Sequence, residues 1–102
     1  MRFYKTIELE WRGVAVSIAF CPDWSQAYRE VQGQALCHLQ ITSADRAPLP
    51  ISETGFRSAF IAEAVIEGWE GPAAYVRGWL DALAREPEWR ERSVRAEQLT
   101  LF

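Results

Sequence analysis

Apolar and polar residues alternate in two short runs near the start of the chain. Residues 7–11 and residues 14–20 each place a large apolar side chain at every second position. Because successive side chains of a β-strand point to opposite faces, both runs are typical of half-buried strands. Arg12 and Gly13 lie between them, so the pattern predicts a β-hairpin. Pro22 ends the second strand, because proline cannot donate a hydrogen bond within a sheet.

A third run, residues 35–42, predicts another strand with Cys37, Leu39 and Ile41 on the face opposite His38. Residues 24–34 are polar and irregular, which predicts a loop. The Pro-Leu-Pro sequence at residues 48–50 is extended, because each proline fixes its own φ and restricts the residue before it. Residues 51–60 then form either a short fourth strand or a structured loop.

The second half of the chain has helical character. Residues 61–67 suit a short helix ended by Gly68. Pro72 favours the first position of a longer helix, which Pro87 stops before a further helix over residues 88–92. Strands followed by helices predict an α+β fold: a small antiparallel sheet of three or four strands, with an N-terminal hairpin, packed against two or three C-terminal helices.

Length and composition narrow the class of protein. The 102 residues fit one domain, expected over residues 1–97, and 49% hydrophobic with 25% charged residues is a globular mixture. A net charge of −3 argues against nucleic-acid binding through the phosphate backbone. No apolar run suits a signal peptide or a membrane span, so a cytoplasmic protein with no membrane contact is expected. Cys21 and Cys37 are then expected as free thiols.

The sequence Gln98-Leu99-Thr100-Leu101-Phe102 resembles the peptide motif that binds the bacterial DNA sliding clamp. In such a peptide Gln98 would donate and accept hydrogen bonds, and three apolar anchors would fill a groove of the partner: Leu99, Leu101 and Phe102. A mobile chain end suits this role. The alternation of Leu99 and Leu101 fits equally a short last strand that packs on the protein's own core.

A second candidate is the segment 48–58, where a ligand or contact loop would use Glu53, Thr54, Arg57 and Ser58. The alternative is a structured turn whose hydroxyl groups cap backbone groups. His38 is the only histidine, and no metal-ligand spacing accompanies it, so no catalytic residue, metal or cofactor is expected. A small enzyme built on His38, Glu53 and Arg57 ranks last among the hypotheses.

Several segments together resemble a family of small alphaproteobacterial proteins of unknown function that are associated with plasmids or phages. They are residues 9–14, 38–41, 47–58, 71–75, 79–81 and 87–89, and the Leu-Phe end. The resemblance implies a fold and no activity. A second hypothesis for the function is a mobile-element accessory protein that makes protein contacts through residues 48–58 or a surface of Trp69 and Trp89, with a structural tail. An exposed sheet edge would also permit a homo-oligomer.

Overall fold

The computed structural model describes residues 2–92, and its centre is a four-stranded antiparallel sheet with the strands in chain order. The strands are β1 (Lys5–Trp11), β2 (Val14–Cys21), β3 (Leu36–Ser43) and β4 (Phe56–Ala62). Arg12 and Gly13 join β1 to β2 with positive φ angles of 49° and 83°. The N-terminal hairpin and the α+β fold class are confirmed.

The described residues also form the α-helices α1 (Gln26–Gln32), α2 (Glu63–Gly68) and α3 (Pro72–Ala84), and a short 3-10 helix at Ala44–Arg46. Residues 87–92 are helical as well. Pro72 opens α3 as predicted, because its missing N–H lies where a helix leaves donors unpaired. No helix among residues 2–92 is long and apolar enough to cross a membrane.

Two predicted boundaries are wrong. The loop expected over residues 24–34 contains α1, which Ser25 caps by accepting a hydrogen bond from the Tyr28 N–H at 3.1 Å. None of the residues of α1 is buried, so the helix has no apolar stripe for a sequence pattern to reveal. The helix expected over residues 61–67 begins only at Glu63, because β4 continues to Ala62.

One face of the sheet carries the hydrophobic core. Val16 and Ile18 of β2 and Leu39 and Ile41 of β3 are completely buried there. The helices contribute further buried side chains to the same cluster: Ile66, Val76, Leu80 and Ala84. The two faces of β3 are therefore as predicted: Leu39 and Ile41 lie on the core face, and His38 lies on the face away from the core.

Both cysteines are buried free thiols, as expected. Cys37 lies on the core face of β3 and Cys21 on the opposite face of β2, where its register partner is His38. Burial, together with the nearby Glu63 carboxylate, raises the pKa of Cys37 to about 11. This thiol is therefore protonated at neutral pH and is a packing residue rather than a nucleophile.

Candidate functional site

A cluster of side chains surrounds His38 on the sheet face opposite the core. We call it the His38 cluster, and its members are Arg2, Tyr4, Trp24, His38, Ser58 and Phe60. The register of the sheet brings the strand residues together, because His38 is paired with Phe60 across β3 and β4. Tyr4 precedes β1, and Trp24 enters from the segment before α1, where its N–H donates to the Leu36 carbonyl at 2.8 Å.

Both ring nitrogens of His38 have a partner. Nδ1 lies 2.5 Å from the Tyr4 hydroxyl and Nε2 lies 2.8 Å from the Ser58 hydroxyl. The Phe60 ring stacks on the imidazole, with 4.4 Å between centroids and 11° between planes. Trp24 meets Phe60 edge-on at 4.7 Å. A neutral imidazole offers one donor and one acceptor, so this environment satisfies it completely.

Arg2 connects residues 2–4 to this cluster through two contacts with Trp24. Its guanidinium carbon lies 4.1 Å from the centre of the Trp24 ring, and its Nε donates to the Trp24 carbonyl at 2.6 Å. A cation over an indole ring is stabilising by about 0.5–1 kcal/mol at an exposed site. Residues 2–4 therefore form a strap across Trp24 and His38.

The environment of His38 favours the neutral ring. Only 6% of the residue is exposed, and burial lowers its pKa below 6.5, with a further lowering by the positive charge of Arg2. Desolvation disfavours a charged group, and a like charge nearby adds to the effect. At neutral pH His38 is therefore an uncharged, hydrogen-bonded ring.

The four residues of the predicted loop site lie in different surroundings. Glu53 forms an exposed ion pair with Arg92, with 2.8 Å between Oε1 and Nη1. Thr54 lies 3.0 Å from the Ser52 hydroxyl, which itself donates to the Phe56 carbonyl at 2.6 Å. These two positions belong to a turn whose hydroxyl groups bind neighbouring groups of the turn, which is the alternative interpretation of the segment.

The other two residues of that site lie on opposite faces of β4, since they are adjacent in the strand. Arg57 lies on the core face, with its guanidinium carbon 5.4 Å from the centre of the Trp79 ring. Ser58 belongs to the His38 cluster. The structure therefore brings Ser58 to His38, and it does not gather His38, Glu53 and Arg57 around one point.

Gly55 fixes the turn that leads into β4. Its φ is +75°, and a Cβ there would lie 2.4 Å from the Ser43 Oγ and 2.7 Å from the carbonyl carbon of Arg46. The Ser43 hydroxyl donates to the Ala47 carbonyl at 2.5 Å, and the Ser43 N–H donates to the Gly55 carbonyl at 2.9 Å. Only glycine combines this backbone conformation with such a close approach.

The two tryptophans predicted as one contact surface belong to separate groups of rings. Trp89 packs against the core, 5.9 Å from the ring of Trp11. Trp69 is 49% exposed and lies 6.3 Å from Tyr75, which in turn lies 6.0 Å from Trp79. Trp69 alone keeps the exposure that a contact residue needs.

The tail residues Gln98, Leu99, Leu101 and Phe102 lie outside the described residues. Within residues 2–92 no group of His, Cys, Asp and Glu side chains is arranged to hold a metal ion. The sequence analysis did not predict the His38 cluster. The one sequence signal for it is the alternation in β3, which places His38 on the face opposite the core. Its other members come from three separate segments.

A model of the KlcB third domain matches residues 4–89 of the chain. The match includes the whole sheet, α1 to α3 and the segment 48–58. KlcB is a plasmid-associated protein family, which agrees with the plasmid association that the sequence resemblance implied. No curated protein and no solved structure matches the chain.

Proposed function

We propose that this chain, which belongs to the KlcB third-domain family, is a non-enzymatic protein-binding module that docks on the bacterial DNA sliding clamp. The family is of unknown function, so the proposal comes from the residues of this chain. The observation that carries it is the sequence Gln98-Leu99-Thr100-Leu101-Phe102, which lies beyond the part of the chain that matches the family model.

The chemistry of this pentapeptide suits a groove on a partner protein. The side-chain amide of Gln98 offers directional hydrogen bonds, and Leu101 with Phe102 offers two adjacent apolar anchors. Burial of each anchor contributes about 1.5–3 kcal/mol before the costs of ordering the peptide. Such a peptide can bind while the folded body of the protein stays unchanged.

The geometry of the His38 cluster supports a non-enzymatic role. Ser58 and His38 are within hydrogen-bond distance, as a nucleophile and its base must be. A base must also accept a proton, and burial together with Arg2 disfavours the charged ring. The partner of Nδ1 is the Tyr4 phenol, which lacks the negative charge that a carboxylate would supply to an imidazolium. The arrangement favours a structural histidine.

A titration of purified sliding clamp with the full chain tests the docking proposal. The full chain is expected to bind, and a chain that ends at residue 97 is expected to lose binding. Leu101→Ala with Phe102→Ala should weaken binding at least about a hundredfold, because two of the three apolar anchors are removed. Thr100→Ala is the matched control and should bind as the parent does. Equal binding by the full and shortened chains, or no binding by either, contradicts the proposal.

The second candidate is an accessory protein that contacts another protein through Trp69, and the half-exposed indole of that residue favours it. The tail would then be part of the folded body. The shortened chain distinguishes the two candidates, since loss of a packed tail lowers the melting temperature. About 1 kcal/mol corresponds to roughly 4–8 °C in a domain of this size. If the shortened chain keeps the melting temperature of the full chain but loses clamp binding, the result favours docking.

A further inference from the structure

The two edge strands of the sheet differ in how well they are protected. Edge strands expose unpaired backbone groups, and proteins usually protect them with charged residues, prolines or bulges. The sequence of β1 carries three charged residues, Lys5, Glu8 and Glu10. Arg57 is the one charged residue in the sequence of β4, and the side chains of Phe56 and Phe60 in this strand are 38% and 49% exposed. Within residues 2–92, β4 pairs with β3 alone.

The hydrogen bonds at the ends of β4 show which backbone groups face outward. Gly55 accepts from the Ser43 N–H at 2.9 Å, and the Glu63 N–H donates to the Ala35 carbonyl at 3.0 Å. In an antiparallel ladder, alternate residues bond to the same neighbour. The odd-numbered residues from 55 to 63 therefore face β3. The even-numbered residues point to the free edge, and Ser58 and Phe60 direct both their N–H and carbonyl groups there. The Ser52 hydroxyl binds the N–H and carbonyl of Phe56 at 3.3 and 2.6 Å, and Ala62 is the N-cap of α2.

We propose that β4 pairs antiparallel with β4 of a second copy of this chain, about a twofold axis at Ala59. This register pairs residues whose numbers add to 118, so it matches even-numbered residues with even-numbered residues across the axis. The outward N–H and carbonyl groups of Ser58 and Phe60 then face those of the partner's Phe60 and Ser58, as an antiparallel ladder requires. The four-stranded sheet would continue without a break into the sheet of the partner.

The side chains of β4 are self-complementary in this register. Phe60 lies opposite the partner's Ser58, and Phe56 lies opposite the partner's Ala62, so a large side chain meets a small one at each pair. Ala59 meets its own copy at the axis, where two small side chains permit close approach. Each Phe60 ring also extends the His38 cluster of the other copy, because it lies beside the Ser58 that bonds to His38. This self-complementarity favours a second copy over an unrelated peptide.

Charge distribution favours the same pairing. Arg57 lies opposite the partner's Ile61, about 13 Å along the strand from the partner's Arg57. That separation exceeds the screening length of about 8 Å at physiological salt. The equivalent pairing of β1, centred on Glu8, would place two Glu8 carboxylates directly opposite each other, which is destabilising. The free edge of β4 is therefore the favourable one for self-association.

Opposite charges at the axis test the proposal. Sedimentation equilibrium of the full chain should show a concentration-dependent dimer. Ala59→Glu and Ala59→Lys each place two like charges about 5 Å apart, so each should weaken dimerisation at least about tenfold. An equimolar mixture of the two variants should restore a dimer, because opposite charges then meet. Thr6→Glu, on the exposed edge strand β1, is the matched control and should dimerise as the parent does.

Amide hydrogen exchange on the unmodified chain gives a second readout that needs no variant. Protection of the Ser58 and Phe60 amides should rise with protein concentration, because their N–H groups face the partner. A chain that stays monomeric, a dimer unaffected by Ala59→Glu, or protection that is independent of concentration overturns the proposal. Protection that is high at every concentration means that other residues of the same chain cover the edge. The chain that ends at residue 97 should still dimerise, so this proposal and clamp docking can fail separately.

Discussion

Replacing Gly55 by alanine should destabilise the protein far more than the same change at Gly33. Both glycines have a φ of +75°, so both variants incur the cost of a left-handed backbone at a residue with a side chain. The difference lies in the space around them. Nothing lies within 4 Å of a Cβ built on Gly33, whereas a Cβ on Gly55 meets the Ser43 hydroxyl and the backbone of Arg46.

The expected magnitudes follow from these contacts. The left-handed conformation costs about 1–2 kcal/mol for an L-residue, and this is the whole effect expected for Gly33→Ala. At Gly55 the new methyl group must also displace Ser43, whose side chain donates to the Ala47 carbonyl. Loss of that bond with a buried group left unpaired adds about 1–3 kcal/mol. Movement of the Arg46 backbone adds more, so Gly55→Ala should lose about 3–5 kcal/mol in total.

Urea unfolding followed by tryptophan fluorescence measures both variants against the parent chain. A loss of this size is a large share of the roughly 5–15 kcal/mol that stabilises a domain. The melting temperature should fall by more than about 12 °C for Gly55→Ala and by about 4–16 °C for Gly33→Ala. If the free energies of unfolding of the two variants agree within about 0.5 kcal/mol, the close packing inferred around Gly55 is refuted.

Two further predictions concern single side chains. The pKa of His38 in the folded state lies below the ordinary 6.5. The unfolded chain therefore takes up the proton first, so the free energy of unfolding should fall as pH decreases through about 6.5. Urea unfolding between about pH 8 and 5 measures this, and His38→Gln should reduce the dependence of the unfolding free energy on pH. Trp11 donates from Nε1 to the Asp81 carboxylate at 2.8 Å and so links β1 to α3. Trp11→Phe should lower the free energy of unfolding, measured with a denaturant, by about 1.5–3 kcal/mol. Asp81→Ala should lower it little further when Trp11 is already phenylalanine. If the losses of the two single variants simply add in the double variant, the bond contributes nothing to stability.

Periodic elements of the fold could be predicted from the sequence, because burial on one face leaves a regular pattern. Val16 and Ile18 of β2 repeat every second residue, and Val76 and Leu80 repeat at helical spacing in α3. Such patterns come from local geometry alone. Helix α1 has no buried residue, so no pattern identifies it, and its stability depends on capping by Ser25 and Gly33.

The candidate site could not be predicted, because its contacts join distant parts of the chain. Tyr4 and His38 are 34 residues apart, and His38 and Ser58 are 20 residues apart. Each pair depends on the register between strands, which no single segment encodes. Interactions within a segment, such as the hydroxyl groups in the turn at Ser52, could be anticipated from residue types alone.

The His38 cluster and the free edge of the sheet share residues of β4. His38 contacts two residues of β4, Ser58 by a hydrogen bond and Phe60 by ring stacking. These are also two of the residues whose backbone groups face outward from the sheet. A buried, neutral imidazole therefore holds the side chains of Ser58 and Phe60, and in the proposed pairing the backbone N–H and carbonyl groups of these residues bind the partner strand. The same contacts give His38 a positioning role, because the Tyr4 and Ser58 hydroxyl groups hold both of its ring nitrogens.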